Sequence, residues 1–109
     1  MQEKDKQLTL EFKKRIPREV ADHVKRLIVF GSRATERAME DSDLDMIVLV
    51  DEKTLGLEQA LEDAAYDAMW MYDFKPIISL KVFEESRYRG ALDKGYSFYR
   101  NVEKEGVAL

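Results

Sequence analysis

Cysteine is absent from this chain of 109 residues, and proline, histidine and tryptophan are scarce. Without cysteine there are no disulfides and no thiolate metal centres, and the chain suits a reducing compartment. The one histidine, His23, reads as an ordinary surface or half-buried residue of a helix rather than a ligand. No apolar run approaches the roughly 18 residues that a membrane span needs, which excludes a helical membrane protein. The N-terminus lacks a signal-peptide pattern, so the expected location is the cytoplasm. A net charge of −4 lacks the basic surplus on which non-specific nucleic-acid binding rests, and that class is excluded too. Room is left for a small, local nucleotide site. Internal repeats, low-complexity stretches and dividing linkers are also missing. Residues 1–109 therefore read as a single domain, long enough for one modest core.

What is present is 45% hydrophobic and arranged with clear periodicity. Residues 2–15 read as a charged helix with Leu8 and Phe12 one turn apart. Pro17 suits the first turn of a following helix, where its missing N–H costs nothing. Val20, Val24 and Leu27 then mark that helix's apolar stripe or its hand-over to a strand. Residues 27–30 are an apolar run stopping at Gly31, as a buried strand does, and residues 33–39 read as a short helix or irregular turn. Leu44 to Val50 is the strongest strand. Leu44, Met46, Val48 and Val50 share one face; Asp43, Asp45, Ile47 and Leu49 share the other. Leu57, Leu61, Ala64, Ala65, Ala68, Met69 and Tyr72 recur at helical spacing. Pro76 opens a third strand reaching Phe83, and residues 84–92 and 97–105 read as short helices with Gly106 as a stop. The fold class that follows is α/β or α+β. It has a small mixed sheet of three or four strands with helices packed on one face, and the other face open where Asp43 and Asp45 point.

The chemistry lies in Gly31-Ser32 and, after nine intervening residues, Ser42-Asp43-Leu44-Asp45. A strand ending at Gly-Ser and followed by a turn presents backbone N–H groups and a hydroxyl to a phosphate. Gly31 removes the Cβ that would hold the phosphate away, and Ser32 can donate to it. Arg33 either adds charge there or stays solvated, while Ser42 caps or braces the approach to the carboxylates. Asp43 and Asp45 converge on one volume and repel unless a cation or a proton sits between them. Oxygen-only ligands suit Mg²⁺, which takes one or two carboxylates plus substrate phosphates. A calcium loop is the competing motif, with Asp41, Asp43, Asp45 and Glu52 at positions one, three, five and twelve. Its sixth position must be glycine and is Met46, inside an apolar strand, so that reading is rejected.

Gly31-Ser32-Arg33-Ala34 followed by Ser42-Asp43-Leu44-Asp45-Met46-Ile47-Val48 resembles the signature of the DNA polymerase β-like nucleotidyltransferase superfamily. In particular the chain is similar to the small stand-alone prokaryotic minimal nucleotidyltransferases. Residues 76–85 resemble their third strand and residues 98–106 their closing helix, so the resemblance spans nearly the whole chain. It implies a nucleotidyltransferase-like fold, with Asp43 and Asp45 as catalytic carboxylates and ligands of one or two Mg²⁺ ions. Gly31, Ser32, Arg33 and Ser42 would bind the nucleotide. The implied reaction moves a nucleoside monophosphate, AMP from ATP or its counterpart from another nucleoside triphosphate, to a protein or small-molecule acceptor. The resemblance also implies an all-helical HEPN-type partner, with this chain as antitoxin of a HEPN/MNT toxin–antitoxin pair. A homo-oligomer is compatible with the sequence.

Two positions depart from the family pattern. Glu36 stands where a second glycine is usual, and the third carboxylate position falls at Ser79. Serine is a poor metal ligand and proton acceptor. Asp73, the nearest acid, lies in the preceding turn, and Lys81 shares a strand face with Ser79, where it either touches phosphate or is solvated. These departures motivate an alternative: a catalytically degenerate domain acting as a partner-binding antitoxin or nucleotide-binding module. Trp70, Tyr72 and Phe74 read as the edge of the core, with base stacking as their second reading. Tyr96, Phe98 and Tyr99 either pack the last helix or form a partner surface.

Overall fold

The N-terminal helix α1 (Glu3–Arg15) forms where the charges favour it, with Glu3 and Asp5 in its first turn and Lys13, Lys14 and Arg15 in its last. Its Leu8 and Phe12 are fully buried. The computed structural model describes residues 1–35, 37, 39 and 41–109. After Pro17 comes a single turn of helix, α2 (Arg18–Ala21), and the chain passes through His23 into β1 (Val24–Phe30). Strand β1 is longer than the expected 27–30 because Val24 still finds a partner, Val50. Strand β2 (Leu44–Val50) has the expected bounds. Helix α3 (Leu55–Trp70) starts where the Thr54 hydroxyl accepts from the Leu57 N–H at 3.1 Å.

Strand β3 (Ile78–Glu84) begins two residues later than Pro76. Proline has no N–H for the ladder, and the pairing starts instead with the Leu44 N–H donating to the Ile77 carbonyl at 2.8 Å. Helices α4 (Glu85–Asp93) and α5 (Ser97–Glu105) follow, and a two-residue strand, β4 (Val107–Ala108), returns to the sheet. That last strand is too short to show a period in the sequence. Gly106 permits it: a Cβ there would run into the Val102 carbonyl and stand 2.7 Å from the Ile28 side chain.

Among the described residues the four strands lie in the order β3-β2-β1-β4. Strands β1 and β2, and β1 and β4, are antiparallel, whereas β2 and β3 run parallel across α3. The mixed sheet matches the expected class. Helix cover is wider than expected, however. Helices α1 and α3 bury Leu44, Met46, Val48 and Val50 on one face. On the other, Ile28, Ile47 and Leu49 are buried with Tyr88 of α4 and Val102 of α5. Leaving Ile47 and Leu49 in water would forgo roughly 1.5–3 kcal/mol of burial apiece. The end of that second face, where β1 leaves and β2 enters, carries polar side chains, and Arg26 and Lys81 add charge elsewhere on the same face.

Candidate active site

Along the second face the register sets side chains in rows. Phe30 pairs with Asp45 and Asp45 pairs with Ser79, so these three lie side by side across β1, β2 and β3. The next row inward holds Ile28, Ile47 and Lys81. Asp45 is half-buried at the strand end, one row from Lys81 and the apolar Ile28 and Ile47, with Asp43 exposed one pleat outward. Burial raises the Asp45 carboxyl above its ordinary value, the Asp43 charge adds to the rise, and Lys81 opposes it. The two carboxylates therefore repel one another at one strand mouth, as their spacing required.

Gly31 sits against this pair with φ +77, a left-handed conformation that glycine adopts without strain. A Cβ at residue 31 would stand 2.7 Å from Asp45 Oδ2. The turn that follows is tied by its carbonyls: Gly31 O accepts from the Ala34 N–H at 3.1 Å, and Ser32 O from the Arg37 N–H at 2.9 Å. This turn opens on the backbone N–H groups that follow the strand end. Ser32 is half-buried beside them.

Two candidate residues take other positions. Arg33 is turned inward and buried rather than set against Asp43 and Asp45. Its Nη1 lies 3.1 Å from both Asp5 oxygens, its Nε donates to the Ser42 carbonyl at 2.8 Å, and its Nη2 to the Met39 carbonyl at 3.4 Å. Ser42 accepts from the Met39 N–H on its hydroxyl at 3.0 Å, bracing the entry to β2. Arg33 thus ties α1, Met39 and the residue preceding Asp43 together. Asp5, 1% exposed, went unnoticed in the sequence reading. Its signal was available: it shares the helical stripe of Leu8, Thr9 and Phe12, an acid on an apolar face.

Other expectations divide. The one attached to Glu36 lies outside the described residues. His23 stands in the turn before β1, not in a helix, with Nδ1 3.0 Å from both oxygens of Asp51. That bond holds the Asp51 carboxyl below its ordinary range. Antiparallel pairing of Val24 with Val50 is what brings the two together. Trp70 and Phe74 cluster edge-to-face with Tyr66 on α3, whose inner face packs against the side of the sheet opposite Asp45. A groove of about 770 Å³ lined by Lys4, Arg33, Met39, Asp41 and Lys75 opens near the strand mouth, with Asp45 outside its lining. Ser79 is adjacent to Asp45, and among the described residues no group of three acids, histidines or cysteines is placed to hold a metal.

A parallel β2-α3-β3 unit with a glycine turn pressed on a carboxylate and two aspartates at the strand mouth is an arrangement compatible with the nucleotidyltransferase class. The family of that class described as polymerase beta nucleotidyltransferase matches residues 13–87, more than half of the chain. The protein belongs to that family. No curated protein sequence matches it. Members of the family generally use a nucleoside triphosphate and a divalent cation. The residues present fit such a cation: two carboxylates, one of them disfavoured in its charged form by burial and its neighbour, form a hard oxygen donor set. Among the described residues, no helix is long and apolar enough to cross a membrane.

Proposed function

We propose that this protein is a Mg²⁺-dependent nucleotidyltransferase of the cytoplasm that moves AMP from ATP to a protein acceptor. The observation that carries this reading is the contact between Gly31 and Asp45. A glycine in the left-handed region, with space for a Cβ taken by a carboxylate oxygen, brings the phosphate turn and the acid pair to one point. Asp43 and Asp45 would hold the cation. When bound, it would neutralise charge on the phosphates in an in-line displacement. The turn's N–H groups and the Ser32 hydroxyl orient the triphosphate, while Lys81, one row inward, adds positive charge. Arg33 keeps the turn and the entry to β2 in fixed relation, so its part is positioning.

Catalysis of this kind rests on placement and charge more than on covalent chemistry, which suits so small a site. The acceptor we propose is an all-helical HEPN-type protein, with this chain as the antitoxin that modifies and silences it. Incubated with Mg²⁺, α-labelled ATP and that partner, the wild type transfers label. The Asp43→Asn, Asp45→Asn double substitution transfers none. Unchanged labelling by the double variant refutes the reading.

Ser79 beside Asp45 favours one second reading, a partner-binding module without transfer. Under it the same double variant binds the partner and protects cells as well as the wild type does. Loss of protection with binding intact counts against it.

A further inference from the structure

Beside the carboxylate row stands an aromatic corner that the phosphate and cation chemistry leaves unused. Phe30, the cross-strand neighbour of Asp45, meets Phe98 of α5 edge-to-face, with ring centroids 5.6 Å apart at 87°. Phe98 also meets Tyr99 edge-to-face, at 5.1 Å and 89°. Tyr99 is held in turn by Tyr88 at 5.5 Å and Phe83 at 6.0 Å. Two near-perpendicular contacts fix the plane of the Phe98 ring, yet 38% of the residue stays exposed. A fully buried ring would be core, and an isolated exposed one would be surface. This one is braced on two sides and half-open, and it rests on the ring that pairs with Asp45. Phe30 also directly precedes Gly31, so one stretch of chain leads from the aromatic corner into the phosphate turn. Phe98 lies beyond the span that the family matches, residues 13–87.

We propose that Phe98, braced by Phe30, is the surface on which the base of the bound nucleotide stacks. This rests on the nucleotide reading above and names the part of the site that holds the base. A flat heteroaromatic ring is the ligand that such a corner suits, because a rigid aromatic face gains from stacking without losing side-chain entropy. The aromatic cluster of Tyr66, Trp70 and Phe74 is the rival platform, but α3 carries it on the side of the sheet away from Asp45.

Calorimetry with Mg²⁺ and two separate ligands, ATP and inorganic tripolyphosphate, tests this on the wild type, Phe98→Leu and Phe98→Trp. Leucine keeps apolar contact with Phe30 and removes the aromatic face; tryptophan keeps both. The expected result for Phe98→Leu is ATP binding weakened at least about fivefold, with tripolyphosphate changed by less than about twofold. Phe98→Trp binds ATP as tightly as the wild type or more so. Unchanged ATP binding by Phe98→Leu overturns the proposal, and so does equal weakening of both ligands. Equal affinity of the wild type for the two ligands overturns it as well, while leaving the phosphate site standing. A wild type that binds neither ligand refutes the nucleotide reading itself.

Discussion

Replacing Arg33 by methionine leaves the Asp5 carboxylate, 1% exposed, without the guanidinium that meets both its oxygens at 3.1 Å. Both groups of the pair are deeply buried, Arg33 being 7% exposed, so solvent screening does little to soften the loss. Breaking such a pair from one side costs about 3–5 kcal/mol, because an uncompensated buried charge remains. Total stability for a domain of this size is about 5–15 kcal/mol, so Arg33→Met should remove a fifth or more of it. In urea, with a slope of about 1–3 kcal/mol/M, the midpoint should fall by about 1 M or more. Far-UV circular dichroism follows the transition, with Trp70 fluorescence as a second probe. Asp5→Leu alone should also destabilise by several kcal/mol, since it removes the anion from a buried arginine. Combined with Arg33→Met, it converts the pair to an apolar contact of similar volume. The double variant should then lose less than the two single costs added together, though it still forgoes the bonds that Arg33 donates to the Ser42 and Met39 carbonyls. A cost below about 1 kcal/mol for Arg33→Met, or simple additivity in the double variant, refutes the claim that this pair anchors α1 to the motif.

Three further outcomes follow from the site and its surroundings. Gly31→Ala should destabilise by at least about 1–2 kcal/mol through its positive φ and should weaken divalent-cation binding, because its Cβ meets Asp45 Oδ2 at 2.7 Å. Unchanged thermal midpoints with and without Mg²⁺ would show that the turn does not press on Asp45. Ser79→Asp places a third carboxylate in register with Asp45, so the variant should melt lower without cation and bind Mn²⁺ about tenfold more tightly by titration calorimetry. Equal affinity in the two proteins would separate Ser79 from the cation site. Finally, Arg26 donates two bonds to Glu103, at 2.7 and 3.2 Å, and holds that carboxyl below its ordinary value. A depressed acid stabilises the fold fully above its unfolded pKa, and that contribution is lost as pH falls through the folded value. Urea midpoints measured from pH 6 to pH 3 should therefore fall less steeply in Glu103→Gln than in wild type, and parallel curves would refute this.

The sequence by itself determined the elements that carry their own period. Leu44 to Val50 is an apolar run broken only by Asp45, so both bounds of β2 could be read directly, and the two-residue strand period set Asp43 and Asp45 on one face. Helix α3 was legible for the same reason, and the Gly-Ser turn with its paired aspartates sufficed to place the chain in its family. Tertiary structure decided what depends on residues distant in sequence. The partner of Arg33 is 28 residues away on α1, so no local pattern could tell a phosphate ligand from a buried anchor. His23 meets Asp51 only because β1 and β2 pair antiparallel, and β4 exists only because β1 offers Val107 and Ala108 partners in Val29 and Ile28. The second layer of helices could not be foreseen from α4 and α5 alone, whose burial falls chiefly on Tyr88 and Val102. Likewise the corner of Phe30 and Phe98 is assembled from two stretches of sequence far apart, the end of β1 and the start of α5. Local periodicity fixes which face of an element is apolar, but the sheet register fixes what each face meets.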